Sequence, residues 1–115
     1  MHELSIALSI VDVAAEAAER QGGGRVAAVH VKVGRLSGVV GSALASAFAL
    51  AREGTPLEGA VLVVEDVPAM AYCPACAAGH DPGDMVMLIC PACGRPTPDL
   101  LQGRELEVVA LEMDS

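Results

Sequence analysis

The chain has no tryptophan and, in 115 residues, a single tyrosine (Tyr72) and a single phenylalanine (Phe48). A core stacked from aromatic rings is therefore excluded. With 53% hydrophobic content the interior has to be filled by Ala, Val and Leu. Basic side chains are scarce as well: seven Lys and Arg stand against fifteen Asp and Glu, for a formal charge of −8. Nucleic-acid binding leans on a basic surface that displaces counterions, so this balance argues against it. An acidic chain is matched instead to cations or to a basic partner surface. Long apolar runs are missing too. The longest, Val39 to Ala51, is too short to span a bilayer and is interrupted by Gly41, Ser42 and Ser46. The N-terminus carries His2, Glu3 and Asp12 where an export signal needs positive charge followed by an unbroken apolar stretch. A cytoplasmic protein is expected, with no membrane and no nucleic acid among its partners.

Cysteine is sparse but arranged. The chain's four cysteines form two identical knuckles, Cys73-Pro-Ala-Cys76 and Cys90-Pro-Ala-Cys93, separated by thirteen residues. A C-x2-C turn aims two thiolates at one point, and two such turns supply the tetrahedral sulfur cage that Zn2+ prefers. Proline fixes φ after the first cysteine of each pair, and Gly94 is suited to the positive φ that such a turn often needs. Disulfides suit a secreted chain, and a redox pair needs only one knuckle. Structural zinc on Cys73, Cys76, Cys90 and Cys93 is the expectation. Four sulfurs leave no open position for substrate, so the ion is a staple and not a catalyst. With the thiolates and zinc counted, the charge becomes about −10.

Periodicity supplies the rest. Leu4 to Arg20 reads as an amphipathic helix with Leu4, Leu8, Val11, Ala15 and Ala18 on its apolar face, stopped by Gly22 to Gly24. Arg25–Gly34 alternates as a half-buried strand, Val29, Val31 and Val33 against Ala28, His30 and Lys32, with His30 on the polar side as an ordinary solvated histidine. A second helix is expected over about Val40–Arg52, with Leu44, Phe48 and Ala51 inward. Gly59–Val67 is apolar on both faces, which predicts a central strand. Ala69 to Leu101 is rich in proline and nearly without period. Met85–Ile89 reads as one short strand there, and His80 as a solvated loop residue. Glu105–Met113 alternates again, with Leu106, Val108 and Ala110 on one face, and is expected to return beside the first strands.

The chain opens Met1-His2-Glu3. A free α-amine, the amide nitrogen of residue two and that residue's imidazole close two fused chelate rings, a nitrogen-rich planar arrangement that suits Ni(II) or Cu(II). Met1 is expected to be retained, because a bulky histidine beside it disfavours trimming. On these three residues alone a plain polar chain end with an acid in the first helical turn is the favoured reading, because short motifs match by chance.

Met1-His2-Glu3-Leu4-Ser5, the Gly34-Arg35-Leu36-Ser37-Gly38-Val39 turn, Thr55-Pro56-Leu57-Glu58-Gly59-Ala60, and two C-x2-C knuckles followed by Gly103-Arg104-Glu105-Leu106 run in order along nearly the whole chain. Together they resemble the HypA/HybF family of hydrogenase maturation nickel metallochaperones. The resemblance implies Ni2+ as transient cargo, bound by His2 with the Met1 amine and help from Glu3. It also implies zinc at the four cysteines, and delivery of nickel to the large subunit of a nickel–iron hydrogenase alongside the GTPase HypB. One position departs from the pattern. Similar proteins usually carry an acid after the Gly-Val of the mid-chain turn, implicated in some as a further nickel ligand, and here that place is Val40.

The expected fold is α/β (α+β): two helices packed on a three-stranded sheet of Arg25–Gly34, Gly59–Val67 and Glu105–Met113, with an inserted four-cysteine zinc ribbon. The organisation follows as a nickel-binding α/β domain over 1–68 with a returning strand in 102–115, and a zinc ribbon over 69–101. No nucleophile–base pair, phosphate loop or acid–base carboxylate pair is visible, so no enzyme activity is expected. Two rivals are weighed: a zinc-ribbon adaptor of transcription or translation, which would need a basic ribbon, and a thiol oxidoreductase using one knuckle, which a closed zinc site forbids. A homodimer is compatible with the sequence but not required by it.

Overall fold

The computed structural model describes residues 3–81, 89–90, 92–96 and 99–114. Its elements in chain order are α1 (Glu3–Arg20), β1 (Val26–Gly34), α2 (Gly41–Ala51), β2 (Val61–Val67), β3 (Met70–Cys73), β4 (Ala78–His80), β5 (Asp99–Gln102) and β6 (Leu106–Met113). They form two three-stranded sheets, β2-β1-β6 and β4-β3-β5. The molecule measures 53 × 25 × 16 Å with a radius of gyration of 17.3 Å. A compact chain of this length would have about 13 Å, so the two sheets are strung out lengthwise.

In the first sheet β1 pairs parallel with β2 and antiparallel with β6. The three segments expected to share a sheet do so, but their order corrects one reading. β2 is an edge strand, and its apolar residues on both faces do not make it central. Both helices lie on one side of the sheet, so the other side stays open and leaves Val61 and Val63 exposed. β6 brings a second correction. The register passes from His30↔Ala110 to Val31↔Val108, a bulge at Val109. The extra residue reverses the facing, so Ala110 lies on the open side while Val108, Leu111 and Met113 pack against the core. A regular alternation through Leu106, Val108 and Ala110 does not survive it.

The core has Leu44, Phe48 and Leu57 at its centre against Val26, Val29 and Val31 of β1. α1 presents Ile6, Ala7, Ile10, Val11, Ala14 and Ala18 to it. The expected face is thus rotated: Leu4 and Leu8 are each 47% exposed, and Ala15 is only partly buried. The helix is apolar over more than half its circumference, so periodicity marked a wide stripe whose centre tertiary packing then chose. Alanines at positions 7, 14 and 18, at most 1% exposed, let the helix backbone lie close to its neighbours, which suits a chain poor in aromatic filler.

The Thr55–Ala60 segment is a structural turn. Thr55 Oγ1 donates to the Arg52 carbonyl (2.6 Å) and accepts from Leu57 N–H (3.1 Å), while Glu58 Oε2 accepts from Gly54 N–H (2.8 Å). Arg52 donates to the Ala60 carbonyl and Arg25 to that of Glu58, fastening the turn to both strand starts.

The second sheet was not visible in the sequence, where this region read as nearly aperiodic. Its strands are three or four residues long, too short to show a period. The strand expected over Met85–Ile89 lies mostly outside the described residues. Of it, Ile89 forms a single bridge with Pro96. His80 is not a loop residue: it ends β4 opposite Ala71, half-buried, with Nδ1 shielded from water.

Candidate metal centres

The four cysteines arrive from two hairpin-like turns of the same design. Cys73 ends β3 and pairs with Ala78; Cys90 N–H donates to the Arg95 carbonyl at 2.8 Å. In each knuckle the residue after the second cysteine takes a left-handed backbone, Ala77 at φ 52° and Gly94 at φ 74°. The glycine was readable as such and the alanine was not. Alanine in that region costs ~1 kcal/mol relative to glycine. Ala77→Gly is therefore expected to strengthen metal retention roughly five-fold, read by competition with a chromogenic chelator.

The sulfurs converge. Cys73 Sγ lies 3.6 Å from Cys93 Sγ, Cys76 Sγ lies 3.9 Å from Cys90 Sγ, and all four lie within 4.8 Å of one another. A tetrahedral ion with bonds of about 2.3 Å to sulfur requires sulfur–sulfur edges of about 3.8 Å. Two of the edges fall on either side of that value and the rest are no longer than 4.8 Å, so the cluster has the dimensions of a site for a tetrahedral thiophilic cation. Cys73 and Cys90 are buried and Cys76 and Cys93 exposed, so an ion held by the four sulfurs would lie near the surface.

The thiols also perturb one another's titration. Hydrogen bonding to Cys93, then to Cys73 and Cys90, pushes the Cys76 thiol up to about 12, with burial adding to the effect. Cys90 is drawn down to about 6, chiefly by backbone donation from Cys93 and Ala92, against burial. Cys93 is raised on balance: its hydrogen bond with the Arg95 backbone lowers it, but burial and its Cys73 and Cys90 neighbours outweigh that. The cluster thus favours the thiolate at Cys90 and the protonated thiol at Cys76 and Cys93. Affinity therefore rises with pH, because each displaced proton is a competitor.

Met1 and His2, expected to hold nickel, lie outside the described residues. Glu3 is placed. It is the half-buried first residue of α1, where a carboxylate complements the helix macrodipole. One turn on, Ile6 lines a groove with Leu106, and Leu106 pairs with Val33. The head of α1 therefore lies at the end of the first sheet from which the chain leaves for the cysteine unit. Val40 precedes α2 there with an exposed apolar side chain and makes no capping hydrogen bond. His30 is on the polar face as expected, yet it is not simply solvated, since Nε2 lies 2.6 Å from Glu112 Oε2.

The join between the two sheets is the feature that sequence reasoning left without a physical role. Leu36 N–H donates to the Gly103 carbonyl (2.6 Å), Gly34 N–H to Glu105 (2.7 Å) and Arg35 N–H to Val67 (2.9 Å). A Cβ on Gly34 would stand 2.2 Å from the Gly103 carbonyl oxygen, and one on Gly103 would stand 2.9 Å from Ala69 Cα. Three backbones thus meet with no room for a side chain. The pair Arg35–Asp81, 3.6 Å apart, bridges the two units beside this crossing. The Gly34-Arg35-Leu36-Ser37-Gly38 and Gly103-Arg104-Glu105 segments were the signal, and the contact between them explains their glycines.

The chain matches, over residues 1–113, a family model described as hydrogenase/urease nickel incorporation, metallochaperone, hypA. It is 50% identical over 112 residues to a hydrogenase maturation factor HypA of Chloroflexus aurantiacus, covering 97% of this chain and 98% of that one. Identity to the Deinococcus radiodurans hydrogenase maturation factor HypA is 49% over 111 residues, with 94% and 89% covered. The fold is similar to the solution structure of the Ni metallochaperone HypA from Helicobacter pylori, with TM-score 0.69 at 26% identity, covering 98% and 97% of the two chains. It is also similar to a solution structure described as HypA protein, with TM-score 0.72 at 27% identity over 99% and 97%. Two helices on a three-stranded sheet, a four-cysteine cage and end-to-end similarity converge on one assignment: the chain belongs to the HypA family of hydrogenase maturation nickel metallochaperones.

Proposed function

We propose that the chain binds one Ni2+ through the Met1 α-amine, the amide nitrogen and imidazole of His2, and Glu3 or water, and delivers it to the large subunit of a nickel–iron hydrogenase. The observation that carries this reading is the family match extending from the first residue, Met1, through both cysteine knuckles. A planar set of nitrogen donors suits Ni(II), and Val40 offers no ligand, so Glu3 or solvent completes the sphere. The cargo is held for release. The α1 macrodipole opposes a cation at that end by ~0.3–1 kcal/mol, and the amine and imidazole return readily to their protonated forms.

The cysteine cage holds Zn2+ as a structural ion on Cys73, Cys76, Cys90 and Cys93. The chain divides into a nickel unit, 1–68 with 102–115, and a zinc unit, 69–101, with the glycine crossing as their border. The protein performs no bond-making chemistry. Work requiring GTP hydrolysis falls to the partner GTPase HypB, and delivery takes place in the cytoplasm. Among the described residues no helix is long and apolar enough to cross a membrane.

Untagged protein exposed to equimolar nickel and zinc and then desalted is expected to retain one of each per chain. His2→Ala should retain the zinc alone. Retention of nickel by His2→Ala at the native stoichiometry would overturn the nickel assignment, and nickel in place of zinc in both proteins would overturn the division of labour.

A further inference from the structure

The first sheet ends at β6, and its core is not sealed there. α1 and β6 leave between them a groove of about 380 Å³, lined by Ile6, Ser9, Ile10, Val13, Leu106, Glu107 and Val108. Leu106 pairs with Val33, whose side is the helix-covered one, yet Leu106 is 39% exposed, and Val13 across the groove is 49% exposed. These apolar side chains face the interior layer and still meet water. Beside them runs the outer edge of β6, with which no strand pairs among the described residues. An unpaired backbone edge next to an apolar slot that continues the core is the geometry of strand addition.

The charges on β6 indicate what fits. Glu107 and Glu112 stand on the open face of the sheet, opposite Lys32 and Ala28 of β1, with Glu112 Oε2 also 2.6 Å from His30 Nε2, and their outer sides have no strand neighbour among the described residues. A second copy of this chain suits the edge poorly. Antiparallel pairing of two β6 strands over their full length would set Glu107 against Glu112 twice, and like charges directly opposite are destabilising. A strand with cations at those positions gains where the second copy loses.

We propose that β6 and the α1 groove form a docking site for an extended segment of a partner protein, added to the sheet as a fourth strand. Its inward side chains are apolar and fill the slot under Ile6, Ile10 and Val13, while its outward side chains are Lys or Arg beside Glu107 and Glu112. The inference is independent of where nickel binds. The site lies on the flank of α1, the helix whose first turn carries Glu3, so a strand held there would bring its parent protein to the end of the molecule where the chain begins.

The test uses zinc-loaded, isotope-labelled full-length protein and a blocked peptide of about seven alternating lysine and valine residues, roughly the length of one strand. Backbone resonances of residues 106–113 and 6–13 are expected to shift, and exchange of β6 amides to slow. Val13→Glu and Leu106→Glu, both at partly exposed positions, should each weaken binding about ten-fold or more with unchanged circular dichroism. A peptide of alternating glutamate and valine should fail to bind. Shifts centred on β2 or the open sheet face, equal binding by Val13→Glu and Leu106→Glu, equal binding of the acidic peptide, or no binding at millimolar peptide would each overturn the proposal. So would concentration-dependent dimerisation that Val13→Glu abolishes, which would assign the edge to a second copy.

Discussion

Cys90→Ala is expected to lose its tightly held metal and the order of the second sheet while the first sheet persists. Cys90 is one of the two buried corners of the cage. Its thiolate forms most readily of those whose titration is displaced, and its own backbone closes the second knuckle through Arg95 and Gly94. Three sulfurs leave an open position and a smaller neutralising charge. Strands of three or four residues make a marginal sheet by themselves and are expected to depend on the ion. Binding and folding are coupled in such knuckles, with apparent metal free energies of ~10–16 kcal/mol in zinc-finger peptides, so the order of this unit is expected to rest on the ion. The main core contains none of these residues. Elemental analysis should find less than one zinc per chain after dialysis. Amide exchange should become fast for β3 to β5 and stay slow for β1. One full equivalent of zinc in Cys90→Ala would contradict the assignment.

Gly34→Ala should be the most damaging glycine-to-alanine change among the described residues. At most glycines here an added Cβ meets nothing or a flexible side chain, whereas at Gly34 it meets the Gly103 carbonyl oxygen at 2.2 Å and the Arg104 nitrogen at 2.6 Å. Backbone cannot rotate away as a side chain can, so the crossing must open. That breaks the 2.6 Å bond from Leu36 to Gly103 and strains the one from Gly34 to Glu105. The Gly103 backbone, at φ 126°, has no easy alternative path. A loss of about 3 kcal/mol or more is expected, at the upper end for overpacking. Urea unfolding followed by far-ultraviolet circular dichroism reads it as a lowered midpoint. Gly54→Ala is the control. A Cβ there meets nothing and only the positive φ is strained, so a cost of about 1 kcal/mol follows. Equal midpoints for the two variants would show that the crossing is not close-packed.

What was legible in the sequence was whatever a period or a spacing encodes. The doubled C-x2-C spacing predicted a cage whose sulfurs do converge, and the alternation of Val29, Val31 and Val33 predicted the inward face of β1. What failed did so where position depends on partners. α1 has apolar residues around more than half its surface, so the spacing put Leu4 and Leu8 on the inward face, where the sheet beneath selects Ile6 and Ile10 instead. β2 looked central because its outward valines have no visible reason to be exposed, and the open face is a property of the whole sheet. The bulge at Val109 leaves no mark in composition, yet it reverses Ala110. The Gly34 crossing was present only as a sequence resemblance, since close approach of two backbones distant in the chain has no local pattern.

The central claim, that nickel is held by the chain's own first atoms, is tested most directly by calorimetric titration of zinc-loaded protein with and without residues added before Met1. An added segment turns the α-amine into an amide, removes it as a donor and leaves every side chain in place. The native protein is expected to bind one Ni2+ with affinity that falls steeply from pH 8 to pH 6, since an α-amine titrates near ~7.7–8.0 and an imidazole near ~6.5. The extended protein is expected to show no stoichiometric nickel binding, with zinc content and helix signal unchanged. Equal nickel affinity in the two proteins, flat across that pH range, would contradict the account and move the site to the carboxylates.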